Sequence, residues 1–342
     1  MTSQQKPTIL VFGATGAMGS YVVKHLLKDK ENNWQIRAFT RNPDSSHARS
    51  LVEQNRDSLG YAERNRVELT QGDLNDYDSI TAAMKDVYGV FCNTNFWVGG
   101  SVATERKIGL DVLDVARKAE VQHFIYSSLD ACAHISQGKV PVPHFDAKAS
   151  VEHEIDWRRS EEFMQQEPGW YSSSVSVLKT LAYFENLFAF MRPQQGKLSD
   201  GREGLIFSVP AADAPYPFIA LDDIGWFTTY MFAHRDTWVG RTLEVGGDRL
   251  SFARLAAIFE KVTRIPAEYQ PMSDEDFLAL DMPNVHDPLN QFRFHRQYGP
   301  YRNHEELKKI HPKLMNFEAW LRHSGWKGEK REVQKDAATG SK

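Results

Sequence analysis

The residues that could do chemistry lie near the middle of the chain, in the stretch "VPHFDAKASVEHEI". Lys148 follows His144 by four residues, a spacing that puts both side chains on one face of a helix. In many enzymes that transfer hydride between a nicotinamide and a carbonyl, a Tyr stands four residues before such a Lys, and a Ser orients the carbonyl. Ser127 and Ser128 end an apolar run upstream, where that Ser would be expected. The sequence therefore offers the Lys and the Ser of a hydride-transfer site, with His144 in place of the Tyr.

His144 has two interpretations, a proton donor or a neutral residue. Imidazole titrates near neutral pH, so the donor role is chemically available. The cation of Lys148, an oxidised nicotinamide and the positive end of the following helix would each disfavour a second positive charge. We therefore expect a neutral His144 with a structural or cofactor-facing role, and keep catalysis as the alternative. For Lys148 we expect binding of the ribose and nicotinamide end of a cofactor, with general-acid chemistry as the alternative.

A glycine-rich loop near the N-terminus is typical of phosphate binding. "GATGAMG" places Gly13, Gly16 and Gly19 between a strand-like run and an amphipathic helix. The first Gly permits a tight turn, the second lets backbone N–H groups approach a pyrophosphate, and the third lets helix and strand pack closely. The helix N-terminus adds partial positive charge. The loop predicts a dinucleotide site.

The end of the second predicted strand indicates which dinucleotide is bound. "FTRNP" places Arg41 where an NAD-selective site usually carries Asp or Glu. A planar guanidinium suits the 2′-phosphate of NADP. Asp44 is close enough in sequence to leave NAD open. The sequence favours NADP(H) as the cofactor.

Polar residues at the next strand ends complete the candidate site. Asp73, in "QGDLND", can bond an adenine amino group with Leu74 against the ring, or cap the following helix. Thr94 and Asn95, in "NTNFW", can face ribose and nicotinamide. The neighbouring aromatic pair, residues 96 and 97, is expected to pack in the core or loop rather than to stack on a ligand.

The order of predicted elements indicates an α/β fold. Apolar, strand-like runs alternate with helical periodicity up to a sixth strand expected over 171–179. This pattern predicts a Rossmann-type, doubly wound parallel sheet. We expect an NADP-binding domain over 1–179 and a smaller α/β substrate or partner region over 180–327, above the carboxyl ends of the strands. The charged segment 328–342 is expected to be disordered.

Composition narrows the class of protein. The chain has 342 residues, a net charge of −4 and 41% hydrophobic residues, which is ordinary for a globular protein. The negative net charge does not favour direct binding to nucleic acid, which needs a positively charged surface. No apolar run spans a bilayer and no signal peptide is evident, so we expect a cytoplasmic location, with the nucleus also open. Cys92 and Cys132 lack metal spacing and are expected to be buried, inert thiols, and no metal site is predicted.

Taken together, these stretches resemble the NmrA-like family of atypical short-chain dehydrogenases over most of the chain. The motifs that carry the resemblance are "VFGATGAMG", "TRNP", "QGDLND", "TNFW", "YSSLD", "HFDAK", "YFENL", "FRFHR" and "MNFEAWL". The resemblance implies NADP(H) binding without the dehydrogenase Tyr, and association with other proteins as a cofactor sensor. The cofactor residues that it implies are Gly13, Thr15, Gly16, Ala17, Met18, Arg41, Asp73, Thr94, Asn95, Lys107, Lys148, Tyr183, Phe184, Glu185 and Asn186.

The sequence is compatible with two functions. The first is an NADP(H)-binding redox sensor that regulates a protein partner, with a homodimer as a further possibility. In that case the loops around 94–102 and the region 180–220 would switch with the cofactor state. The second is an NADPH-dependent reductase of a small carbonyl, enone or quinone that uses Lys148. The missing Tyr favours the sensor. The basic, aromatic segment 291–302 is expected to be a packed edge rather than a contact surface.

Overall fold

The computed structural model describes residues 6–58 and 66–333. The strands are β1 (Thr8–Val11), β2 (Gln35–Thr40), β3 (Val67–Gln71), β4 (Gly89–Cys92), β5 (His123–Ser128), β6 (Val175–Lys179), β7 (Ala182–Tyr183), β8 (Gln194–Lys197), β9 (Glu203–Phe207), β10 (Tyr216–Ile219), β11 (Thr242–Glu244), β12 (Asp248–Leu250) and β13 (Ala267–Tyr269).

In the described residues, α-helices and the 3-10 helix Phe184–Phe188 connect these strands. The α-helices are α1 (Ala17–Lys28), α2 (Ser46–Ser58), α3 (Tyr77–Ala83), α4 (Phe96–Gly99), α5 (Val102–Lys118), α6 (Cys132–Ile135), α7 (Pro143–Gln165), α8 (Trp170–Ser174), α9 (Leu221–Ala233), α10 (Arg235–Trp238), α11 (Phe252–Thr263), α12 (Asp274–Leu278), α13 (His286–Gln297), α14 (His304–Ile310) and α15 (Phe317–Ser324). Within the described ranges, no helix combines the length and apolarity needed to cross a membrane.

The central element is a seven-stranded sheet in the order β11-β6-β5-β4-β1-β2-β3. All six strand pairings in it are parallel. Its inner strands are apolar on both faces because helices cover both faces; Ile9, Leu10 and Val11 of β1 are fully buried. Helices α1 and α9 pack over one face, and α3, α5 and α7 over the other. The predicted Rossmann-type, doubly wound sheet is confirmed.

The chain returns to this sheet after residue 179. Strand β11 pairs with β6 through Thr242 and Val177, and α9 packs against α1. The remaining C-terminal segments form two three-stranded sheets, β12-β10-β7 and β13-β9-β8, around an aromatic core. The division at residue 179 stays a prediction, and the segment predicted as the smaller region supplies one strand and one helix to the larger sheet.

Three local expectations differ from the structure. Residues 170–174 form helix α8 rather than the start of a strand, because the Glu162 carboxylate accepts hydrogen bonds from the backbone N–H groups of Tyr171 and Ser172. Helix α7, which the sequence predicts to start near Phe145 after a loop containing Pro143, begins at Pro143 itself, whose fixed φ suits the first helical turn. Arg331, in the segment predicted as a tail, lies over the Phe188 ring, while residues 334–342 lie outside the described residues.

The close packing of α9 on α1 leads to a stability prediction. A Cβ on Gly225 would lie 2.5 Å from the Tyr21 carbonyl oxygen. Gly225→Ala should therefore lower the free energy of unfolding by about 1–3 kcal/mol through overpacking, although Ala is the better helix former. Gly109→Ala in α5 is the matched control, because its Cβ would meet a Val151 methyl group rather than backbone. Urea denaturation of both variants checks this, and equal effects would contradict it.

Candidate functional site

The candidate site lies where the strand order of the sheet reverses, between β1 and β4. Gly13 follows β1 with a φ of +71°, and a Cβ there would lie 2.9 Å from the Asn93 carbonyl oxygen. A Cβ on Gly19 would lie 2.0 Å from the Gly13 oxygen. Gly16 is the N-cap of α1 and offers no side-chain cap, so the first N–H groups of the helix are available to an anion. The tight turn at Gly13 and the close packing at Gly19 are therefore confirmed, and the role of Gly16 beside a pyrophosphate stays a prediction.

The residues between these glycines differ in exposure. Thr15 and Met18 are buried, and Ala17 is half-buried. The sulfur of Met18 accepts a hydrogen bond from the Ser127 hydroxyl at 3.4 Å, and the side chain belongs to the core between the sheet and α1. Met18 therefore supports the loop from beneath.

Arg41 is exposed at the end of β2. Within the described part of the chain, its guanidinium has neither a hydrogen bond nor an ion pair to the protein. Asp44 is paired with Arg49 at 3.5 Å instead. Asp44, the residue that left NAD open as the cofactor, is therefore not bonded to Arg41. The Arg41 guanidinium is available to a ligand.

The "QGDLND" turn is exposed at the end of β3. Asp73 accepts hydrogen bonds from the backbone and side-chain amides of Asn75 at 2.9 and 3.0 Å. Asp76, rather than Asp73, caps α3 by accepting from the backbone N–H of Asp78. The capping interpretation of Asp73 is wrong, and Leu74 is half-buried beside it.

A buried ion pair occupies the end of β4. The Lys148 ammonium lies 2.8 Å from the Glu105 carboxylate and donates to the Thr94 carbonyl oxygen at 2.7 Å. It also lies 3.1 Å from the Thr94 hydroxyl oxygen and 3.3 Å from the Asn93 side-chain oxygen. Thr94 in turn donates its hydroxyl to Glu105 at 2.6 Å. The three protons of the ammonium thus face four oxygen atoms of the protein.

Glu105 was not predicted as a site residue, whereas Lys107 was predicted to contact the cofactor. Both lie on α5, but Lys107 is exposed and pairs with Asp111 at 2.6 Å, one helical turn away. Glu105 shares its helix face with Gly109 and Val112, which are buried against the sheet. The signal was therefore present in the helical phase, since Lys107 lies off the apolar stripe that contains Glu105.

Neither Ser at the end of β5 offers its hydroxyl to a substrate. Ser127 donates to Met18, as described above, and Ser128 donates to the Glu152 carboxylate at 2.6 Å. Glu152 also pairs with Lys179 at 2.9 Å. Burial opposes the charge of Lys179, but Glu152 beside it prevails and raises the pKa of the ammonium. The two Ser residues are structural in this arrangement.

His144 is bonded to a carboxylate that the sequence did not single out. Asp287, from α13, accepts a hydrogen bond from the backbone N–H of His144 at 3.0 Å and contacts its ring Nδ1. Both side chains are largely buried. The ring lies 5.2 Å from that of Trp97 and 6.2 Å from that of Phe96, between centroids. Asp287 is far away in sequence, and no local pattern pointed to it.

The aromatic pair after β4 divides between core and surface. Phe96 is buried, as expected, whereas Trp97 is 52% exposed. The Asn95 side chain accepts from the backbone N–H of Trp97 and caps α4. Trp97 therefore presents an aromatic face to solvent beside the His144 ring.

The "YFENL" segment is only partly accessible. Phe184 is fully buried and stacks on Phe218 and Trp320. Glu185 accepts from the Trp320 indole N–H at 2.9 Å and from the backbone N–H of Leu221 at 3.2 Å, and burial raises its pKa to about 7. These two side chains hold the C-terminal region together. Tyr183 and Asn186 are half-buried and stay predicted cofactor residues.

Two other expectations are confirmed. Cys92 and Cys132 are buried, and burial raises the pKa of both thiols, that of Cys92 to about 12. Segment 291–302 is a packed edge, since Phe292, His295 and Arg302 are buried.

A parallel sheet with a glycine-rich loop at its switch point defines a Rossmann-type α/β protein. The model of the NmrA-like family matches residues 5–321, and the chain belongs to that family. An NmrA-like family domain-containing oxidoreductase of Aspergillus hancockii is 30% identical over 296 residues, which cover 83% of this chain and 81% of that protein.

Solved structures share the fold. The structure of NmrA, a negative transcriptional regulator, in complex with NADP has a TM-score of 0.67 at 21% identity, and the match covers 93% of this chain and 95% of that one. The NADPH-dependent quinone oxidoreductase QOR2 of Escherichia coli, complexed with NADPH, has a TM-score of 0.66 at 21% identity, with 93% and 100% covered.

The buried pair at the end of β4 predicts a large loss of stability when one charge is removed. Lys148→Met leaves the buried Glu105 carboxylate without its cation, so the free energy of unfolding should fall by about 3–5 kcal/mol. The matched control is the double variant Lys148→Met with Glu105→Gln, which removes both charges and should recover most of the loss. Denaturation in urea at neutral pH measures both. A single variant as stable as the wild type would show that the pair does not constrain the fold.

Proposed function

We propose that this protein binds NADP(H) at the β1–β4 switch point and uses it to reduce small conjugated carbonyl compounds, such as enones and quinones. The observation that carries the proposal is the arrangement at the end of β4. There an imidazole and an exposed indole flank the same strand end that faces the glycine-rich loop. A planar acceptor can pack on such a surface beside a nicotinamide.

The choice of cofactor follows from the groups at the two ends of the site. The uncapped N-terminus of α1 suits a pyrophosphate, and the free guanidinium of Arg41 suits a 2′-phosphate. Solved neighbours hold NADP, NADPH and, in one NmrA structure, NAD, which supports binding of a nicotinamide dinucleotide, while Arg41 carries the choice of NADP(H).

Two further observations support reduction rather than binding alone. The relatives most similar in sequence include several proteins named oxidoreductases, and one structural neighbour is a quinone oxidoreductase. The His144 ring also occupies the position four residues before Lys148, where a proton donor is needed. Both observations point to a redox step at this strand end.

A cofactor sensor that acts through a protein partner is the second candidate. Helix α7 exposes Trp157, Phe163 and Met164, the last two by 81% and 78%, which favours association with another protein. NmrA, which shares the fold, is described as a transcriptional regulator. A sensor requires that the oxidised and reduced cofactor bind two protein states with different affinities. Sedimentation with NADP⁺ and with NADPH would reveal such a difference as a change in association.

Arg41 should set the preference for the phosphorylated cofactor. Arg41→Asp removes charge-assisted hydrogen bonds to the 2′-phosphate, so NADPH should bind about 10- to 100-fold more weakly while NADH binding is retained or improved. Fluorescence titration of both cofactors measures the ratio of dissociation constants. Arg49→Asp is the matched control, since Arg49 is an exposed neighbour paired with Asp44. An unchanged ratio in Arg41→Asp would contradict the assignment.

Turnover is the direct test of the proposed function. Purified protein with NADPH and a panel of quinones, enones and aldehydes should oxidise NADPH in step with reduction of at least one acceptor. Arg41→Asp should slow this reaction with NADPH and spare it with NADH. Saturable NADPH binding with no turnover across the panel would overturn the reductase proposal and leave the sensor.

A further inference from the structure

The reductase proposal needs a proton donor, and three polar side chains at this strand end, those of Lys148, Ser127 and Ser128, are bonded to other protein groups. Hydride transfer to a carbonyl carbon leaves negative charge on oxygen, which a proton must neutralise. The Lys148 ammonium is surrounded by oxygen atoms of the protein. Ser127 and Ser128 donate their hydroxyl protons to Met18 and Glu152. The donor must therefore be another group at this strand end.

We propose that His144 and Asp287 form the proton-donating pair of this site, an inference that rests on the proposed reductase function. A carboxylate can only accept, so the Nδ1–H of His144 donates to Asp287. This bond fixes the tautomer and leaves Nε2 as the ring nitrogen that faces a substrate. In the described part of the chain, no protein atom bonds to Nε2. His144 is the catalytic residue, and Asp287 is a positioning residue.

Carboxylates lie beside the His144 ring, beside its neighbour Lys148 and at the start of α7. Its neighbour Lys148 is compensated by Glu105 at 2.8 Å. Asp287 supplies a buried negative charge at the imidazole itself. Asp287 also accepts from the backbone N–H of His144, and so opposes the positive end of α7. Lys148 and the His144 ring thus each have their own carboxylate.

The reaction balances with the cofactor as the only reductant. The C4–H bond of NADPH breaks with its electron pair, and a C–H bond forms at the carbonyl carbon or, in a conjugated acceptor, at the β carbon. The π electrons move to the carbonyl oxygen, which takes the Nε2 proton of His144. NADPH is oxidised to NADP⁺, and the product is an alcohol from a simple carbonyl or an enol from a conjugated one, which tautomerises to the ketone or, from a quinone, to the hydroquinone. Neutral His144 keeps its Nδ1–H bond to Asp287 and is reprotonated at Nε2 by water.

The decisive experiment compares an acceptor that needs a proton with one that does not. A carbonyl from the turnover panel needs hydride and a proton, whereas a cationic triarylmethane dye is reduced by hydride alone. His144→Gln removes the same ring contact from both acceptors but the proton only from the carbonyl, so kcat for the carbonyl should fall by about 10²- to 10⁴-fold more than kcat for the dye. NADPH affinity of the variant should change far less than kcat for the carbonyl. His153→Gln, an exposed His on the same helix, is the matched control and should behave as wild type.

Asp287→Asn keeps an acceptor for the backbone N–H of His144 but loses the charge that stabilises imidazolium. It should also lower kcat for the carbonyl selectively, with NADPH affinity and urea denaturation close to wild type. Equal losses on both acceptors, or a His144→Gln variant with wild-type carbonyl reduction, would overturn the proposal.

If the wild type reduces the carbonyl but not the dye, chemical rescue tests whether His144 is the proton donor. Added imidazole should restore carbonyl reduction to His144→Ala, and failure of rescue would overturn the pair. If the wild type reduces neither acceptor, the proposed reductase function itself fails, which separates the two outcomes.

Discussion

The cost of burying a positive charge shapes the functional end of this molecule. An ammonium at the end of a central strand is tolerated only if oxygen atoms replace the water that it loses. Lys148 obtains them from the loop after β4 and from Glu105 on α5. Three elements, the β4 loop, α5 and α7, are therefore fixed relative to one another by one side chain. The Lys148–Glu105 pair therefore also fixes the positions of the aromatic surface after β4 and of the start of α7.

The C-terminal part of the chain supplies two buried side chains and one strand to the Rossmann-type part. Asp287 of α13 bonds both the backbone and the ring of His144. Arg302 makes a second buried connection, to Asp130 just after β5, through one guanidinium nitrogen at 2.9 and 3.0 Å from the two carboxylate oxygens. Strand β11 extends the central sheet itself. The site is thus completed by Asp287 and Arg302, which lie more than a hundred residues along the chain from the residues that they contact.

The sequence predicted the features that depend on local pattern. The glycine spacing, the buried parallel strands and the exposed Arg41 follow from residue type and periodicity, and the structure has each of them. What it could not predict was pairing over long distances. Glu105 was recoverable from the helical phase of α5, but Asp287 was not, because nothing beside it in the chain reveals that it meets α7. Likewise, no local pattern revealed that Glu185 bonds to Trp320 and Leu221 inside the C-terminal core, while the cofactor contact of "YFENL" stays a prediction.

The most direct measurement is a crystal structure of the protein with NADP⁺ bound. We expect the pyrophosphate against Gly13 to Gly19 and the 2′-phosphate on Arg41. The nicotinamide should then lie between Thr94 and the His144 ring, with Nε2 facing the space above C4. A nicotinamide that lies away from the end of β4, or a His144 ring that is shielded from it, would contradict the account and remove the basis for hydride transfer at this site.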